Sequence, residues 1–149
     1  MVRILFDTSA AIGLLEAGPR NEILLGMARD MDPEAERLYC AVTSLELCIG
    51  EHPTTAKALK LLSTMRCVPL DDALAQRAGR LLSSSFGKKR RQIPDAIIAS
   101  TALQEDAWLW TLNERDFAGL RDLRMFSLEL PGPLKRLDVR DVRDKRDRM

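Results

Sequence analysis

The chain predicts an α/β fold, a central and mostly parallel sheet of about five short strands with helices on both faces. Three observations carry this. Short apolar runs of strand-forming residues alternate with segments of helical spacing, as in right-handed strand–helix–strand crossovers. The run Trp108-Leu109-Trp110-Thr111-Leu112 is almost unbroken in its apolar character, the pattern of a central parallel strand buried on both faces. With 149 residues, there is chain enough for one ordinary hydrophobic core and no room for several.

The elements follow in order. Arg3-Ile4-Leu5-Phe6 is a first strand, stopped by Asp7, with Thr8-Ser9 leading into Ala10–Leu15 as a short helix ended at Gly18-Pro19. Ile23, Leu24, Met27 and Ala28 mark a second helical stripe. Asp32-Pro33 reads as a helix start, with aspartate as N-cap and proline in the first helical position. Leu38–Val42 is a second strand, followed by a helix beginning Leu45-Glu46-Leu47 and broken near Gly50. Pro53 opens a helix carrying Ala58, Leu61, Leu62 and Met65, and Cys67–Leu70 is a short strand. Asp71-Asp72 then caps a helix with Leu74, Ala78, Leu81 and Leu82 on one face. A polar, basic loop over 83–91 precedes a helix opening at Pro94-Asp95, and Leu123–Phe126 is the last strand. No repeat or linker divides the chain. A single domain is expected over 1–133, followed by a charged tail over 134–149 whose end, from Asp141 onward, is frayed or ordered by a partner.

Composition narrows the class of function. At 46% hydrophobic the chain is too apolar for disorder. With 23 Lys and Arg against 22 Asp and Glu, net charge does not point to nucleic acid, so such a ligand would need a local basic patch. Three scattered cysteines without a C-x-x-C pair suit reduced thiols in a cytoplasm, and no stretch approaches the roughly 18 apolar residues of a membrane span. Cys40, Cys48 and His52 make a poor zinc set, because Gly50 and Pro53 disturb the spacing and no second close pair exists. His52, the only histidine, has no nucleophile context beside it. Trp108 and Trp110 read as core residues.

Four places put a polar or acidic residue after a strand or at a helix start: Asp7, Glu46, Asp95 and the pair Asn113/Asp116. Parallel sheets gather such positions at one edge, where ligands bind. Clustered carboxylates repel one another, and a hard divalent ion relieves that repulsion and activates water. Each position also has a purely structural reading. Asp7 suits an N-cap, Thr43-x-x-Glu46 matches a capping box, Asp95 complements a helix dipole, and Asn113 and Asp116 are ordinary turn residues.

Order and context distinguish them. Phe-Asp-Thr-Ser-Ala, Thr-Ser-Leu-Glu-Leu, Ile-Pro-Asp-Ala-Ile-Ile-Ala-Ser and Trp-Thr-Leu-Asn-Glu-Arg-Asp-Phe occur in succession over residues 1 to 130. This resembles the PIN-domain nucleases, most closely the VapC-type toxins of toxin–antitoxin pairs. The resemblance implies a three-layer fold and an endoribonuclease using Mg²⁺ or Mn²⁺ on Asp7, Glu46 and Asp95. Asp116 would join them as a catalytic acid, and the products would be a 5′-phosphate and a 3′-hydroxyl. Many members carry aspartate where Asn113 stands, so the fourth position passes to Asp116, or to Asn113 acting through water. Ser9, Thr111 and Asn113 would orient carboxylates or water from behind. The implied partners are an RNA substrate, a small cognate antitoxin seated partly on the Ile23–Met27 stripe, and a second copy of the chain, within a larger assembly in some pairs.

Lys88, Lys89, Arg90 and Arg91 stand just before Asp95 and suit RNA phosphates, although a solvated loop or an acidic partner accounts for them equally well. The competing reading is a PIN domain with weak or no catalysis that binds RNA or protein. A haloacid-dehalogenase-like phosphatase would need a second aspartate where Ser9 stands, and a receiver domain would need an acidic pair before its first helix.

Overall fold

A computed structural model of the chain describes residues 1–16, 19–31, 33–49, 53–85, 92–126 and 137–138. Six strands form one sheet in the order β3-β2-β1-β4-β5-β6, comprising β1 (Arg3–Phe6), β2 (Glu36–Cys40), β3 (Arg66–Val68), β4 (Trp108–Trp110), β5 (Arg124–Phe126) and β6 (Leu137–Asp138). The first five run parallel, and the two-residue β6, inside the charged tail, pairs antiparallel with β5. The expected class is therefore observed. The chain first winds outward from β1 through β2 to β3, then returns to the other side of β1 as β4. That reversal places the topological switch point between β1 and β4, where the loops after the two strands diverge and leave a crevice.

Six α-helices are described: α1 (Thr8–Gly13), α2 (Pro19–Asp30), α3 (Ala41–Ile49), α4 (Thr55–Leu62), α5 (Asp72–Ser85) and α6 (Ile93–Gln104). Alternation along the strands sends side chains to two buried faces. Leu5, Leu38, Cys40, Leu109 and Met125 meet Leu74 and Ala78 of α5 and Ala96, Ile98 and Ala99 of α6. On the other face Ile4, Phe6, Trp110 and Phe126 pack with Ala10 of α1 and Leu24 of α2. There the rings of Phe6, Trp110 and Phe126 sit side by side in register across three strands, edge to face at 5.0 and 5.2 Å. Trp108 and Trp110 are both buried, as expected.

Several boundaries differ from the sequence reading. The helix after Phe6 begins at Thr8 and is over by Gly13, and Pro19 opens α2 instead of ending α1, in the position where its missing N–H costs nothing. Gly13 lets the ends of two flexible side chains approach closely, since a Cβ there would stand 2.8 Å from Leu24 Cδ1 and 2.9 Å from Leu112 Cδ1. No helix starts at Pro33, because Pro33 and Glu34 form a turn into β2; Asp32 lies outside the described residues. β2 starts earlier than the apolar run suggests. Its charged entry, Glu36, is held by Arg3 at 3.3 Å and by Arg66, charges that are remote in sequence. Val42 turns with α3 over the sheet edge, so α3 begins at Ala41 and Thr43 and Glu46 are both interior to it. The capping box is thereby excluded. The side chain of Ile23, and residues 141–149, lie outside the description.

The amino ends of the strands carry their own cluster. Arg3, Glu36, Arg66 and Glu105 interlock there, with Arg66 Nη2 3.2 Å from Glu105 and Arg3 Nη1 3.6 Å from it. α6 ends in a Schellman turn, Ala107 N–H donating to Ala102 O and Asp106 N–H to Leu103 O. Asp106 takes the left-handed conformation (φ 50°) usually left to glycine, and its carboxylate pairs with Arg124.

Leu38 is fully buried at the sheet centre, whereas Leu45 is 60% exposed on α3. Leu38→Ala is expected to cost about 2–5 kcal/mol and Leu45→Ala less than about 0.5 kcal/mol, read from urea denaturation. Equal losses would contradict this placement of the core.

Candidate active site at the carboxyl edge of the sheet

Asp7 follows β1 directly and its carboxylate is buried at the switch point. Its backbone belongs to both neighbours: the N–H donates to Trp110 O of β4 at 2.9 Å, and the carbonyl accepts from Ala10 and Ala11 of α1. Three donors hold the side chain. Thr8 N–H reaches Oδ1 at 2.8 Å, while the Ser9 and Thr111 hydroxyls reach Oδ2 at 2.9 and 2.7 Å. Both hydroxyls are themselves fixed, Ser9 Oγ accepting from Leu112 N–H and Thr111 Oγ1 from Asn113 N–H, each at 3.0 Å. The two readings of Asp7, helix cap and site residue, are thus compatible in one conformation. Ser9 and Thr111 both stand against the Asp7 carboxylate.

Glu46 projects from the second turn of α3 toward α1, where the Thr8 hydroxyl donates to Oε1 at 2.8 Å. Asp95 stands in the first turn of α6, after Pro94, and is half-buried. Asp116 lies on an exposed 3-10 turn, Glu114–Phe117, whose Phe117 is fully buried and anchors the turn against the sheet. Asn113 precedes that turn, and its side chain makes no capping hydrogen bond. With Ser9, Ile12, Gly13, Asn21 and Leu112 it lines an adjoining cleft of about 290 Å³.

The ionisation of these acids is coupled. Burial raises the Asp7 carboxyl above its ordinary range, its three donors oppose the rise, and the charge of Asp116 adds to it. Glu46 is raised first by burial and further by Asp7, against the pull of Thr8. Asp95 is pushed up to about 6, chiefly by burial and then by the charges of Asp116, Asp7 and Glu46. Four segments far apart in sequence therefore share one electrostatic environment. The charge of Asp116 reaches both Asp7 and Asp95, while Asn113, which is neutral, donates its backbone N–H to Thr111 Oγ1.

Among the described residues, none of the four acids has a lysine or arginine within ion-pair distance. Nor do any three acidic, cysteine or histidine side chains already enclose a point at metal-binding distance. The donor set fits a hard cation in its chemistry, all oxygen and all anionic, and needs side-chain adjustment to close around one. Residues 86–91, with Lys88, Lys89, Arg90 and Arg91, and also His52, lie outside the described residues. Cys40 is buried, and Cys48 is a free thiol on the exposed side of α3. Sequence reading missed Thr8 and Thr43, hydroxyls on facing helices that touch Glu46 or each other. Their signal is faint, since threonine beside a capping aspartate or inside a helix is common.

The PIN-domain family profile matches residues 4–123. Among solved structures, a toxin–antitoxin complex from Klebsiella pneumoniae contains a chain 24% identical to this one, with a TM-score of 0.65 over 84% of this chain and 97% of that one. FitAcB from Neisseria gonorrhoeae is 22% identical with a TM-score of 0.67, over 85% and 99% of the two chains. The Mycobacterium tuberculosis toxin VapC20, described as cleaving the sarcin–ricin loop, is 16% identical with a TM-score of 0.60, over 77% and 93%. These identities establish a common fold. No curated protein sequence matches the chain significantly.

The raised Asp95 carboxyl carries a sign. A folded-state pKa of about 6 against an ordinary 3.8 means that the folded chain holds this proton more tightly than the unfolded chain. Stability from this group is therefore full below about pH 4 and is lost as pH rises toward about 6. Asp95→Asn should flatten that interval in thermal melts of metal-free protein and raise Tm at pH 7.5 by about 2–4 °C. A lower Tm for the variant would contradict it.

Proposed function

The chain belongs to the PIN-domain family, and from that premise we propose that it is a metal-dependent endoribonuclease acting as the toxin of a type II toxin–antitoxin pair. The observation that carries the reading is that Asp7, Glu46, Asp95 and Asp116 come together at the switch point with no described lysine or arginine within ion-pair distance. An anionic set of this kind is unfavourable alone and becomes favourable with a divalent cation, Mg²⁺ or Mn²⁺.

Asp7, Glu46 and Asp95 would hold the ion. When bound, it would lower the pKa of an attacking water and polarise the phosphodiester. The protein's part is orientation and proton transfer. Ser9 and Thr111 keep one face of the Asp7 carboxylate occupied, so that the group cannot rotate away from its strand end. Asp116, exposed on its turn, serves as the acceptor of the water proton, and Asn113 steadies water beside it. Lys88, Lys89, Arg90 and Arg91, immediately before α6 in sequence, are assigned to the RNA phosphates on either side of the cut. The neighbouring structures containing toxin–antitoxin complexes support a small antitoxin partner. A homodimer, in some conditions within a larger assembly, and a cytoplasmic site of action complete the reading. No described helix is long and apolar enough to cross a membrane.

Asn113, standing where many members carry aspartate, favours a second reading, a PIN domain that binds RNA or protein with weak or no catalysis. One experiment separates the two. Purified chain incubated with total RNA and Mg²⁺ or Mn²⁺ should cleave it, and chelation should stop cleavage. Asp7→Asn, Glu46→Gln and Asp95→Asn should each reduce the rate by about 10²-fold or more. Asp116→Asn should cost more than Asn113→Ala. Equal cleavage by wild type and acid variants would overturn the metal mechanism, and no cleavage under either metal would favour the binding module.

A further inference from the structure

We infer that Thr8 is a positioning residue that sets the separation of the Asp7 and Glu46 carboxylates, an inference that rests on the metal-dependent reading above. Thr8 is the one residue described that donates hydrogen bonds to two of the four acids. Its backbone N–H reaches Asp7 Oδ1 at 2.8 Å and its hydroxyl reaches Glu46 Oε1 at 2.8 Å. The hydroxyl is itself held, 3.2 Å from the fully buried Thr43 Oγ1, one turn before Glu46 on α3. A threonine hydroxyl has a single proton and an ionised carboxylate can only accept. Thr8 Oγ1 is placed to donate to either oxygen, and when Glu46 is ionised the single Thr8 proton goes to the shorter contact with the carboxylate, leaving the Thr43 hydroxyl to donate in the other.

The consequence is geometric. Asp7 and Glu46 come from different elements and are both acidic, so without a tie the Glu46 side chain would swing toward solvent. Thr43, Thr8 and Glu46 form a closed link between α1 and α3, and Thr8 carries that link to Asp7 through the adjacent peptide. Ligand carboxylates are generally oriented by such outer partners, and losing one costs 10- to 100-fold in metal affinity or activity.

The test compares Thr8→Val, which keeps the shape and the backbone N–H but removes the hydroxyl, with Thr8→Ser, which keeps the hydroxyl. Binding of Mn²⁺ alone is measured by calorimetry, thermal melts report folding, and RNA cleavage is followed in parallel. The expected result is Mn²⁺ affinity about tenfold or more weaker in Thr8→Val and recovered to within about threefold in Thr8→Ser, with kcat falling and KM holding. Thr43→Val should weaken affinity less, since it removes only the outer contact. Wild-type affinity in Thr8→Val overturns the inference and leaves the metal reading standing. A folded Thr8→Ser as weak as Thr8→Val overturns it as well. Failure of the wild type to bind Mn²⁺ or cut RNA overturns the metal reading together with the inference built on it.

Discussion

The arrangement depends on one buried carboxylate. Asp7 sits where β1 ends, α1 begins and β4 runs alongside, and it bonds to all three. A charge in such a place is unfavourable unless its oxygens are occupied. Three donors occupy them, and two of these donors, Ser9 and Thr111, are themselves locked by the backbone after β4. The same bonds that make the burial tolerable tie the loops after β1 and β4 together. The crevice of the switch point is thereby given a fixed floor, on which the other acids are arranged.

The sheet is polar end to end. At the amino ends of the strands, acids and bases alternate in Arg3, Glu36, Arg66 and Glu105, mostly in contact with water, where each pair contributes little and the set holds strand starts in register. At the carboxyl ends Asp7, Glu46, Asp95 and Asp116 come together, and burial raises the first three carboxyls. One end is paired by its own side chains, and at the other the four acids have no described lysine or arginine within ion-pair distance. Paired charges and a group of acids thus lie at opposite edges of the same sheet, and burial, with the neighbouring carboxylates, pushes Asp95 up to about 6.

Much of this was legible in the residues. Strand–helix alternation sufficed for the class, because period and composition report burial directly, and the ordered contexts of Asp7, Glu46 and Asp95 sufficed to nominate the acids. Element boundaries were less legible where a remote partner decides them. β2 admits Glu36 because Arg3 and Arg66 meet it, and α3 starts at Ala41 because the chain must turn over the sheet edge. The capping-box pattern at Thr43 and Glu46 was misleading for the same reason: its residues are far enough inside a helix to turn outward, toward α1.

By itself, then, the sequence determined the class of fold and the two-faced core and nominated the acids at the strand ends, since these follow from local period and residue type. The tertiary structure decided the choices that depend on distance. It put the turn that carries Asp116 near enough for its charge to raise the Asp7 and Asp95 carboxyls, although the three are far apart along the chain. It made Thr8 a link between two acids, because the hydroxyl of one helix meets the carboxylate of another 38 positions away. Electrostatic coupling falls with separation in space, and a sequence records separation only along the chain.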